Sequence, residues 1–122
     1  MLFDSAGCPK IIDLGLACTL ESKSRVKTRL GAVGTNLYMS PEKGSGQSYD
    51  AKDDVWALGC MLAGGALGQP MEDMGLNTQG IWALHRPNVD KLLADAQKHA
   101  SPRLSALCGK MLAQQPDQRP TA

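Results

Sequence analysis

The stretch Asp54-Val55-Trp56-Ala57-Leu58-Gly59-Cys60-Met61-Leu62-Ala63 limits the fold more than any other, because no other segment is apolar for so long. Val55, Leu58 and Leu62 fall on one helical face, while Trp56, Cys60 and Met61 cover the other sides. A helix that is apolar all round has no side to offer to water, so a buried helix is expected. With one Phe and two Trp in the chain, few other segments could anchor a core. Ser48 or Asp50 could cap this helix, Asp53 suits its first turn, and Gly64-Gly65 should end it. Asp54 stands at its head, where a carboxylate favours a helix N-terminus. If Asp54 is buried, it must be hydrogen-bonded to something.

Other segments arrange themselves around that helix. Leu2-Phe3 and Lys10-Ile11-Ile12 flank the turn residues Asp4-Ser5-Ala6-Gly7, which suggests a β-hairpin. From Cys18 to Gly34 the chain is polar, basic and without periodicity, so it reads as a long loop, and loops longer than ~12–15 residues tend to be functional or disordered. Residues 68–80 read as another loop. Arg86-Pro87 should break any helix and Asn88 could cap the next, with Val89, Leu92, Leu93 and Ala96 at helical spacing. Ser101-Pro102 opens a further helix with a cap and a proline at its first position. Leu104, Leu107, Cys108, Met111 and Leu112 give that helix an apolar stripe, and Gln115-Pro116 should end it.

A length of 122 residues means one domain or part of one. The net charge of +1 gives no bulk electrostatic case for nucleic acid or an anionic membrane. The cluster Lys23, Arg25, Lys27 and Arg29 alternates with Ser, Val and Thr and suits a solvated loop. None of Cys8, Cys18, Cys60 and Cys108 forms a C-x-x-C, and neither His85 nor His99 is near a Cys, which argues against zinc and for a reducing compartment. Met1-Leu2-Phe3-Asp4 lacks the basic and apolar regions of a signal peptide. The run Val55–Gly68 is shorter than the ~20 residues that span a bilayer. A soluble, intracellular, cytoplasmic protein is expected.

Three groups of residues carry chemistry when taken together. They are Ile11-Ile12-Asp13-Leu14-Gly15 after the hairpin, then Gly34-Thr35-Asn36-Leu37-Tyr38-Met39-Ser40-Pro41-Glu42, then Asp54–Cys60 followed by Pro116-Asp117-Gln118-Arg119-Pro120-Thr121. In this order and spacing they resemble the C-terminal lobe of a eukaryotic serine/threonine protein kinase, over residues 1–122. The Gly34–Glu42 pattern and Leu58-Gly59-Cys60 look most like the NIMA-related (NEK) kinases. The resemblance implies a mainly α fold: a small β-hairpin, an activation-segment loop, then a helical bundle around one buried helix, incomplete at both ends. A cytoskeletal association rests on the resemblance only.

The resemblance also implies roles. Asp13 looks like the D-F-G aspartate that binds the Mg²⁺ bridging the ATP phosphates. Leu14 replaces the Phe and should serve as the apolar plug. Gly34, Thr35 and Tyr38 belong to the loop that positions a protein substrate, and Thr35 would hydrogen-bond the catalytic Asp and Lys. Glu42 looks like the A-P-E glutamate, whose family partner matches Arg119; such a pair can be bidentate and clamps the substrate loop to the helices. An unrelated helical domain would instead leave Glu42 far from Arg119. Ser22, Ser24 and Thr28 are candidate phosphosites, where a phosphate could order the loop by pairing with Arg. The aspartate matching Asp54 bonds the backbone of the catalytic loop.

These 122 residues hold no glycine-rich loop, no V-A-I-K lysine and no H-R-D-x-x-x-x-N. In the family the hairpin begins just after that Asn, and one more helix follows Arg119-Pro120-Thr121. Phosphoryl transfer needs several positioned groups at once. The expectation is therefore a kinase lobe that is inactive alone, whose family uses ATP and Mg²⁺ on protein substrates. The alternative is a pseudokinase-type binding or scaffold module that docks partner proteins. On either reading Asp54 should lack its family partner.

Overall fold

The computed structural model describes residues 2–12, 14, 36–73 and 86–121. The order is β1 (Leu2–Phe3), β2 (Pro9–Lys10), a 3₁₀ turn at Asn36–Tyr38, α1 (Pro41–Gly44), α2 (Lys52–Leu67), a 3₁₀ turn at Met71–Asp73, α3 (Arg86–His99), α4 (Pro102–Met111) and a last 3₁₀ turn at Pro116–Gln118.

The hairpin forms where turn chemistry puts it. β1 and β2 are antiparallel, with Leu2 opposite Lys10 and Phe3 opposite Pro9. One carboxylate oxygen of Asp4 accepts the backbone N–H groups of Ala6 (3.0 Å) and Cys8 (2.8 Å). Gly7 takes a positive φ of 78°, which an L side chain would resist. Every described side chain from Leu2 to Ile12 is exposed.

α2 is the centre of the helical part. Trp56, Cys60 and Ala63 are fully buried and Val55 nearly so. Trp56, Cys60 and Ala63 pack with Val89, Leu92 and Ala96 of α3, Cys108 of α4, Leu112 just beyond it, and Leu37 and Met71 from the two flanking turns. α2 packs tightly against the end of α4 at Gly59, where an added Cβ would stand 2.9 Å from the Met111 Cβ and 3.1 Å from two Leu112 atoms.

Five expectations from the sequence need correction. α2 is not buried all round: Asp54, Leu58 and Gly65 are exposed. Apolar composition sets what a face can bury, but a face is buried only where another element meets it. α2 also runs through Gly64-Gly65 to Leu67. It stops at Gly68, whose φ of 68° is left-handed and whose N–H turns back to the carbonyls of Gly64 and Gly65. Arg86-Pro87 does not precede α3 but opens it, because a first-turn proline has no intrahelical N–H to lose. α4 ends at Met111, well before Gln115-Pro116, and Leu107 turns away from the core at 42% exposure.

The remaining caps follow the sequence. Ser101 Oγ accepts the Leu104 N–H at 3.3 Å with Pro102 behind it. No side chain of Ala51 caps α2, but Asp50 Oδ1 accepts the Lys52 N–H at 2.8 Å.

The two glycines of α2 should respond oppositely to alanine. Nothing lies within 4 Å of a Cβ built on exposed Gly65. Gly65→Ala should therefore stabilise the chain by about 0.5–1 kcal/mol through helix propensity. Gly59→Ala forces α4 outward and should destabilise by about 1–3 kcal/mol. Urea denaturation of the two variants checks both signs.

Candidate functional site

The site begins as a turn. Ser40 is extended (φ −68°, ψ 158°), and its Oγ accepts the Lys43 N–H at 3.4 Å while Pro41 takes the first helical position. Ser45 Oγ closes the short α1 by donating to the Pro41 carbonyl at 2.6 Å. This places Glu42 inward, 7% exposed.

Arg119 arrives from 77 positions later along the chain to meet it. Its Nη1 and Nη2 donate to the two Glu42 carboxylate oxygens at 2.7 and 2.8 Å, a bidentate pair. Nη1 also donates to the Lys52 carbonyl (3.0 Å), Nη2 to the Gln114 carbonyl (3.3 Å) and Nε to the Ala113 carbonyl (2.8 Å). Those bonds engage all five guanidinium N–H donors. The guanidinium also lies 4.9 Å from the Trp56 ring centroid. Lys52 Nζ answers by donating to the Arg119 carbonyl at 2.7 Å. One side chain, 2% exposed, thus ties α1, the head of α2 and the segment after α4 together.

Asp53 and Asp54 behave differently although they are neighbours. Asp53 is buried. Its Oδ1 accepts the Ser40 N–H at 3.2 Å and its Oδ2 pairs with Lys43 Nζ at 2.9 Å. Burial works to lower the Lys43 pKa, but the bond and charge of Asp53 outweigh it and hold the ammonium above its ordinary value. Asp54 is exposed and has no hydrogen bond or ion pair among the described residues. Partial loss of hydration, then the charge of Asp53, pushes its carboxyl up; Lys43 offsets only part of this.

Of the other residues marked in the sequence, Tyr38 packs half-buried against the core and lines a groove of about 280 Å³ with Met61, Gly64, Gly65, Gln69 and Met71. Leu14, expected as an apolar plug, is 68% exposed, because no described element covers that end of the hairpin. Asp13, Gly34, Thr35, Ser22, Ser24 and Thr28 lie outside the described residues. Lys43, Lys52 and the inward role of Asp53 were not foreseen. The spacing of Asp53 to the hydrophobic face of α2 was a usable signal, since it falls three positions before buried Trp56.

Among the described residues no group of three or more His, Cys, Asp or Glu side chains could hold a metal ion. Asp4 is the carboxylate of the described hairpin, and the turn occupies one of its oxygens while Lys10 lies 3.4 Å from the other. No helix among the described residues is long and apolar enough to cross a membrane.

Removing one partner of a buried ion pair strands the other charge. Arg119→Met should therefore destabilise the chain by about 3–5 kcal/mol. A cycle with Glu42→Gln should show strong coupling, read by chemical denaturation. Asp54→Asn should do the reverse. A carboxyl whose folded pKa is raised binds its proton more tightly in the fold, so its penalty is present at neutral pH and absent below its unfolded value near 3.8. The variant should melt higher than the parent at pH 7 and lose that advantage as pH falls toward 3.8.

Comparison with known proteins agrees with this geometry. The sequence matches the protein kinase domain family over residues 1–122. It is similar to the serine/threonine-protein kinase PknB of Mycolicibacterium smegmatis, 32% identical over 113 residues, covering 90% of this chain and 18% of that protein. It is similar to the serine/threonine-protein kinase Nek4 of Mus musculus, 34% identical over 112 residues, 92% of this chain and 13% of that protein. It also matches the serine/threonine-protein kinase Nek8 of Danio rerio, 49% identical over 53 residues, 43% of this chain and 7% of that protein. The chain thus spans less than a fifth of the length of each of these relatives. Both the family match and the relatives point one way: this chain belongs to the protein kinase domain family, with serine/threonine kinases as its relatives.

Proposed function

We propose that residues 1–122 form the C-lobe of a NEK-like serine/threonine protein kinase, from just after the catalytic loop to the start of the last helix. The reaction of the whole enzyme is transfer of the ATP γ-phosphate to Ser or Thr of protein substrates. The observation that carries this reading is the buried bidentate pair between Glu42 and Arg119, at the two positions that the family pattern assigns to the clamp on the substrate loop.

In this reading Asp13 is the Mg²⁺ ligand, and Gly34, Thr35 and Tyr38 form the loop that receives the substrate peptide. Ser22, Ser24 and Thr28 offer hydroxyls for activating phosphorylation. Asp54, exposed at the head of α2, is the acceptor for backbone N–H groups of the catalytic loop. The contribution of these residues is positional. α2 supplies a rigid floor, and Arg119 fixes the end of the substrate loop to it. The chemistry requires an aspartate base and further phosphate-binding groups that these 122 residues do not hold. By themselves they do not transfer phosphate.

A binding or scaffold module is the second reading. The exposed apolar side chains of Leu2, Phe3, Ile11 and Leu14 favour it, because together they offer a partner protein a greasy edge.

Two measurements decide. Saturating MgATP should leave the melting temperature of the 122-residue chain unchanged. A ligand at 100-fold over Kd would add about 2.7 kcal/mol, so a clear rise overturns the claim of inactivity. The coding sequence immediately before Met1 should carry an in-frame H-R-D-x-x-x-x-N; its absence favours the binding module.

A further inference from the structure

The turn that ends the substrate-loop stretch is fastened twice. Glu42 reaches Arg119, as described. The next residue, Lys43, reaches α2 instead, with Nζ 2.9 Å from Asp53 Oδ2 and the two side chains 21% and 11% exposed. The other oxygen of the same carboxylate accepts the Ser40 N–H. Ser40 Oγ in turn accepts the Lys43 N–H. Ser40, Lys43 and Asp53 therefore close a ring, with every member bonded to the other two. Lys43 Nζ also stands 4.8 Å from the centroid of Tyr49, in the segment linking α1 to α2.

A single ion pair fixes one point of a turn and leaves it free to pivot. A carboxylate that binds both ends of the turn removes the pivot. Neither Lys43 nor Asp53 belongs to the motifs that identify the family. We infer that they are positioning residues: the Asp53 carboxylate sets the orientation of the stretch from Leu37 to Lys43 on α2, independently of the Glu42–Arg119 clamp. This rests on the reading of that stretch as the substrate loop, but the test needs no kinase activity.

The test is residue-resolved amide hydrogen exchange on the 122-residue chain and its Lys43→Met, Lys43→Arg and Asp53→Asn variants. Charged hydrogen bonds of this kind are worth enough that the Ser40 and Gly44 amides should exchange roughly tenfold or more faster in Lys43→Met. Amides of α4 at Cys108 and Met111 should keep the parent rate, and Lys43→Arg should restore protection at Ser40. Asp53→Asn keeps an oxygen for Ser40 and removes the charge facing Lys43, so it should show the same local loss; it also decides the matter if Lys43→Met does not fold. Equal acceleration at Ser40 and in α4 overturns the inference, because the pair would then contribute only to overall stability. Unchanged rates at Ser40, or no rescue by arginine, overturn it as well. Failure here would leave the kinase reading standing, and an inactive whole enzyme would leave the exchange pattern unaffected.

Discussion

The Arg119 guanidinium is the interaction on which the helical part depends. Taking a guanidinium and a carboxylate out of water is expensive, and their attraction offsets it only when the remaining donors and acceptors are satisfied. Here the side chain has five N–H groups and five acceptors: two carboxylate oxygens and the carbonyls of Lys52, Ala113 and Gln114. Three of these are backbone carbonyls, one in the first turn of α2 and two in the segment that follows α4. The arginine thus solves two problems at once. It neutralises Glu42, and it supplies donors to the part-buried carbonyls of Ala113 and Gln114 beyond α4. A lysine could supply the charge but not the planar fork that reaches both Glu42 oxygens.

Trp56 gives that polar centre its wall. Its ring is fully buried and lies beside the guanidinium, so water is excluded from one side of the ion pair. The same helix packs against α4 one turn further on, at Gly59, where the absence of a side chain lets Met111 and Leu112 come in. The polar clamp and the apolar core are therefore consecutive turns of α2. Moving α4 away from Gly59 would also move the carbonyls of Ala113 and Gln114 away from Arg119. This couples packing to the ion pair without any direct contact between them.

What could be read in the sequence divides along physical lines. The hairpin turn was legible because Asp4 and Gly7 act within five residues of each other. The Ser101 cap was legible for the same reason. The meeting of Glu42 and Arg119 was legible only through the family pattern, since no local signal links positions 77 apart. The partnership of Lys43 and Asp53 was hidden because it depends on how α1 turns back toward α2. Helix ends were misplaced where propensity was taken as decisive. Two glycines weaken a helix by about 1 kcal/mol each, and packing of Ala63 and Gly64 against the core overrides that. Leu58 was misread as buried because an apolar side chain shows what it could cover, not whether a neighbour is there.

The head of α2 shows how one helix can serve an interior and a surface with adjacent identical residues. Successive side chains diverge by about 100° around a helix. Asp53 therefore points toward Ser40 and Lys43, while Asp54 points out. The Lys43 ammonium stands near both carboxylates, and Asp53 holds it in direct contact, so the charge of Asp53 helps push the Asp54 carboxyl up. Asp54 also heads a line with exposed Leu58 and Gly65, four and eleven positions on, which lie on one side of the helix. By taking up Lys43 and the Ser40 N–H, Asp53 carries the internal bonds at the head of α2, and Asp54 is left on its exposed side.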